Sequence, residues 1–112
     1  MGKVLQIRVV AVTWDPDLVE KEWPRISQLA FSVPIKLENR GVLEMVRALD
    51  EGLKFMKWPD RQKDALRPGI EKAARTKADL EKALADWDAS KANELSDRLE
   101  DELDQLERAF VN

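Results

Sequence analysis

The spacing of apolar residues changes along the chain, and each change predicts a new element. From Val4 to Trp14 the repeat is two: Leu5, Ile7, Val9 and Ala11 fall on one face, and Val4, Val10, Val12 and Trp14 share the other with Gln6 and Arg8. That alternation, rich in valine, predicts a first strand. Asp15-Pro16-Asp17 then reads as a helix start, with a capping aspartate, proline in the first turn and an acid near the positive end of the dipole. Val19, Trp23, Ile26, Leu29 and Ala30 share a helical face, so one bent helix is expected from Pro16 to Phe31. Pro24 should kink or split it after Trp23. Ser32 to Glu38 alternates again, with Val33, Ile35 and Leu37 on one side; Pro34 would make this second strand an edge. Strand, helix, strand implies a right-handed crossover with parallel pairing.

The chain is organised around Gly41 to Trp58. At 100° per residue, Val42, Met45, Val46, Leu49, Leu53 and Met56 form one apolar stripe, and Gly41, Met45, Ala48, Gly52 and Phe55 form a second beside it. The apolar arc covers about half the circumference, wider than one buried face requires. Such a helix needs neighbours on two sides, here strands on one and helices on the other. Ala48 and Gly52 leave a shallow groove, either filled by the core or open to a ligand.

Beyond it, Lys57-Trp58-Pro59-Asp60 is a break, and Pro68-Gly69 should break or kink the chain again. Ile70, Ala73, Ala74, Lys77, Leu80, Leu84 and Trp87 then follow heptad spacing, and Ala92, Leu95, Leu99, Leu103, Leu106 and Phe110 form a final stripe. The two stripes are out of phase by roughly 80° on a straight helix. Charge separates the same halves. Lys57 to Lys82 holds 8 basic and 5 acidic residues, net +3, whereas Asp86 to Glu107 holds 2 basic and 9 acidic, net −7. An antiparallel hairpin accounts for both the phase and the charge; two long helices pairing antiparallel between chains would account for the charge but not the phase. The expected fold is therefore α+β: a small two-stranded β-α-β unit (1–38), a central helix (39–58) and a C-terminal antiparallel helical hairpin (59–112), all in a single domain.

Composition narrows the chemistry. The 112 residues include no histidine, cysteine or tyrosine. That removes disulfides, thiolate chemistry, the commonest general base and the commonest metal ligand. The net charge of −3 gives no global attraction to nucleic acid, and no apolar run is long enough to span a membrane. The opening residues lack the pattern of a secretion signal, so a soluble cytoplasmic protein is the expectation.

Candidate sites are few. The acids Glu94, Asp97, Glu100, Asp101, Glu102, Asp104 and Glu107 are dense enough to suggest a cation site. They lack the histidine or glycine of known metal patterns, so they read better as a solvated face opposing the basic helix. Lys54, Lys57, Arg61, Lys63, Arg67, Lys72, Arg75 and Lys77 form a loose basic band in which Trp58 could stack on a base, but interleaved acids favour pairing with the last helix. No metal, cofactor or nucleic acid is expected. Trp14, Trp23, Trp58 and Trp87 read as core corners, or else as the lining of an apolar pocket or an interface hot spot, with Trp87 near the hairpin tip the first choice for a partner contact.

Two strands make a poor sheet in water, and an exposed edge invites another chain. The sequence thus leads to a non-enzymatic, self-associating protein, a homodimer or an accessory subunit that also meets another protein. Its interface residues would be Val10, Val12, Trp14, Trp87, Leu95, Leu99 and Leu103. The alternative is a small-molecule or phosphate-binding enzyme using Asp15, Asp17 and Glu20 at the end of the first strand.

Overall fold

The computed structural model describes residues 9–111. These form five helices: α1 (Asp17–Glu22), α2 (Pro24–Phe31), α3 (Val42–Phe55), α4 (Asp60–Ala85) and α5 (Ala89–Ala109). Among the described residues there is no strand, so the fold is all-α and the expected α+β arrangement is overturned. Residues 9–13 run as unpaired chain, and their backbone groups make no backbone hydrogen bond to another described residue. The remainder of that expected strand, Val4 to Arg8, lies outside the described residues. Alternation and β-branching describe a half-buried extended chain; pairing needs a partner, and none is supplied here.

The expected second strand fails for a local reason. Pro34 has no N–H, and the Ile35 N–H turns back to the Val33 carbonyl at 2.8 Å, closing a three-residue turn. Val33 is buried and Ile35 and Leu37 half-buried, so the alternation records one loop face lying on the core. Among the described residues there is therefore no crossover and no sheet edge.

The expected bent helix is two helices. Pro24 cannot donate and pushes Trp23 out of helical conformation (φ −131°, ψ 64°), so α1 ends and α2 starts with proline in its first turn. Asp15 Oδ1 accepts from the Asp17 N–H at 3.1 Å, the capping role its position suggests.

α3 is central, but helices flank it on both sides: α2 and α4. Met45, Val46, Ala48 and Leu49 are fully buried, and the groove at Gly52 is filled by Trp58, whose ring a Cβ at Gly52 would strike. The α3 N-terminus is completed from elsewhere. Thr13 Oγ1 accepts from the Val42 N–H at 2.8 Å, and Asn39 Oδ1 from the Gly41 N–H at 3.0 Å.

α4 runs for 26 residues, about 39 Å, and continues through the Pro68-Gly69 pair that the sequence marks as a break or a kink, so the chain does not break there. At Gly69 α5 comes close, since a Cβ there would lie 2.7 Å from Leu106 Cδ2. The chain reverses over Asp86-Trp87-Asp88. The Asp88 N–H donates to the Ala83 carbonyl (2.9 Å) and the Trp87 N–H to that of Leu84 (3.1 Å), with Trp87 in the left-handed region at φ 59°. This is a Schellman closure. Asp88 Oδ1 then accepts from the Lys91 N–H at 3.0 Å to start α5.

The hairpin is held by apolar burial. Leu66, Ile70, Leu99, Leu103 and Leu106 are at most 2% exposed. Truncating any one to alanine costs about 2–5 kcal/mol, against about 0–1 for an exposed ion pair. No ion pair joins α4 to α5 among the described residues: the pairs are Arg25–Glu107, Arg40–Glu20, Lys54–Asp50, Lys77–Glu81 and Lys82–Asp86. The opposite charges of the two halves close no ion pair across the hairpin among the described residues, although Lys72 and Arg75 share a surface depression with Asp101 and Glu102. No helix among the described residues is long and apolar enough to cross a membrane.

Candidate functional site

On α5 the seam Leu95, Leu99, Leu103 and Leu106 faces α4. Asp97, Glu100 and Asp104 lie roughly 140° around the helix from that seam and turn toward the N-terminal part of the chain. Asp104 Oδ1 accepts from Trp23 Nε1 at 2.8 Å, which fixes the indole against α5. One turn on, Glu107 seats the start of α2 (Arg25 N–H at 3.1 Å, Ile26 N–H at 3.0 Å) and pairs with Arg25 Nε at 2.8 Å.

Above these anchors an open groove of about 700 Å³ runs between α5, the 11–15 segment, α1 and the start of α3. Its apolar lining includes Leu18, Val42 and Leu43, half-buried, over Val19, Leu80 and Leu99, which are buried. Trp14, 85% exposed, stands at the edge. Every titratable side chain lining it is a carboxylate: Asp15, Glu22, Glu44, Asp97, Glu100, Asp101 and Asp104. No lysine or arginine lines it among the described residues. Asp15 and Asp104 are hydrogen-bonded; Glu22, Asp97, Glu100 and Asp101 have no hydrogen bond or ion pair with a described residue. Burial pushes the Glu100 carboxyl above its ordinary range, and the negative charges of Asp97, Asp104, Asp101 and Glu22 add to the push.

The expected interface residues separate into two groups. Val10 (68% exposed), Val12 (80%), Trp14 and Trp87 (68%) are on the surface. Leu95, Leu99 and Leu103 are inside the chain's own core. Phe55, 76% exposed, is a surface aromatic that its helical stripe had placed inside. Asp15, Asp17 and Glu20 do not converge: Asp15 caps α1 and lines the groove, whereas Glu20 faces Arg40 at 3.8 Å on another side. Among the described residues no three carboxylates are arranged to hold a metal ion.

Glu102 is not on the solvated face expected for the acids of α5. Glu102 is 4% exposed, and neither carboxylate oxygen has a hydrogen-bond partner. Its angular position, about 20° beyond Leu95 and thus at the margin of the leucine seam, is the signal that finds it. The groove has no comparable signal, because its walls come from four separate stretches of chain.

No family model, curated protein sequence or solved structure matches this chain.

Proposed function

We propose that this protein is a non-enzymatic interaction module that self-associates through the ribbon Val9–Trp14. One observation carries the reading: a valine-rich stretch whose backbone pairs with no other described backbone holds Val10, Val12 and Trp14 at the surface. Its end is anchored, through Thr13 on α3 and Asp15 on α1, so ordering it on association costs less entropy than ordering a free tail. Pairing with the same ribbon of a second copy about a two-fold axis would satisfy both backbones and cover the valines. This differs from an open sheet edge, since the described residues hold no sheet there to extend. A ribbon of six residues buries little area, so the dimer is expected to be weak, in the micromolar range or above.

Sedimentation equilibrium from 5 to 500 µM tests this directly. The expected result is a mass rising from monomer toward dimer with concentration, and remaining monomeric in Val12→Lys. A wild-type chain that stays monomeric across that range rules the reading out.

A further inference from the structure

We propose that the groove between α5, α1 and the 11–15 segment docks a cationic amphipathic helix of a partner protein. The inference goes beyond self-association, because the groove is complete within one chain. Its floor is apolar, with Leu18, Val42 and Leu43 only half covered, and its lining charges are all negative. An apolar floor under an acidic wall complements one helical face carrying leucines flanked by lysines or arginines. The length also fits. The α5 wall runs from Ser96 to Asp104, so a helix lying along it is gripped for about 12 Å, or two turns. Trp14 at the edge offers a ring face to a passing lysine or arginine.

The electrostatics give the groove a reason to accept such a partner. Glu22, Asp97, Glu100 and Asp101 crowd together without a cation among the described residues. Basic side chains from a partner would relieve that repulsion where it is strongest, while apolar residues cover the floor. A compact polyamine satisfies the charge but leaves the floor wet. A second copy of this chain would bring α5-like acids as well as basic residues. The cationic amphipathic helix is the occupant that answers both features.

The test uses an 18-residue helical peptide of leucine and lysine, fluorescently labelled, titrated with the full chain at a concentration where sedimentation shows only monomer. A scrambled peptide of equal composition and a leucine–glutamate peptide run alongside. The expected result is saturable binding of the amphipathic peptide, at least tenfold tighter than the scrambled one, weakening more than tenfold between 50 and 500 mM salt. The double variant Asp97→Asn/Asp101→Asn should lose tenfold or more, whereas Glu71→Gln, on exposed α4 surface, should bind as wild type. The asparagine substitutions remove repulsion, so their thermal midpoint should not fall, and circular dichroism checks that they fold. Equal binding of the scrambled peptide, unchanged binding by the double variant, or no binding at 50 mM salt each overturns the proposal. Because monomer is used, none of these results bears on the ribbon dimer, which its own mass measurement decides.

Discussion

Glu107, near the end of α5, holds Arg25, the second residue of α2, in three ways at once. Its carboxylate accepts from the Arg25 N–H (3.1 Å), pairs with Arg25 Nε (2.8 Å), and its backbone carbonyl accepts from the Arg25 guanidinium at 2.6 Å. The same carboxylate takes the Ile26 N–H at 3.0 Å. It thereby satisfies donors that Pro24 and the chain break at Trp23 leave without an intrahelical partner. The Arg25 guanidinium also lies 5.5 Å from the centre of the Phe110 ring.

Glu107→Ala should therefore cost about 2–3 kcal/mol, more than an exposed ion pair, because two backbone donors lose their acceptor as well. Glu107→Gln, which keeps one acceptor oxygen, should cost less. Urea midpoints of the two variants give the comparison; equal and negligible losses would mean that the cap is unimportant.

Trp87 closes α4 from the left-handed region with its side chain 68% exposed. A residue with a Cβ is held there at a cost of about 1–2 kcal/mol, and glycine is the usual occupant. Trp87→Gly should raise stability by about 1 kcal/mol, measured by thermal or urea denaturation. A loss instead would show that the indole makes a stabilising contact on the surface.

Glu102 carries a carboxylate buried without a partner in the hairpin seam, near Lys72, Arg75 and Arg98 around a shared surface depression. Glu102→Met keeps the volume and removes the desolvated group, so stability should rise by about 1–3 kcal/mol. The urea midpoint decides it. An unchanged midpoint would mean that one of those cations swings in to satisfy the carboxylate.

Glu100 gives a stability term of unusual sign. Its carboxyl is raised in the folded state by burial and by neighbouring acids, so the folded chain binds that proton more readily than the unfolded one. The penalty is absent below the ordinary carboxylate range. It grows as pH rises from there through the raised folded value, and is complete above it. Glu100→Gln should stabilise the protein at neutral pH, by about 0.5 kcal/mol or less since the group is largely solvated. The gain should vanish in acid. Melting temperatures of both proteins from pH 3 to pH 8 should converge at the low end; a constant difference would assign the effect to something other than charge.

The order of residues is enough to locate helices where apolar spacing is long and consistent. The wide arc of α3 requires two neighbours, and the phase slip between the Ile70–Leu84 and Ala92–Leu106 stripes requires a reversal near Trp87. Both follow from 3.6-residue geometry alone, which no distant contact can change. Pro24 likewise has one local consequence, since it lacks a donor wherever the rest of the chain goes. Short stretches are different. Val9–Trp14 and Val33–Leu37 alternate as strands do, but a strand exists only if another chain segment offers its backbone, and these two never meet. Pro68-Gly69 looks like a break, yet α4 continues because packing against Leu106 outweighs the local loss. The acids of α5 follow the same rule. Their number is written in the chain, but whether they face Lys72 and Arg75 or Trp23 and Arg25 depends on which side of the helix the leucine seam commits to α4. Burial of that seam turns Asp97, Glu100, Asp104 and Glu107 toward α1, α2 and the groove and leaves Glu102 against α4, and net charge per segment carries no information about direction.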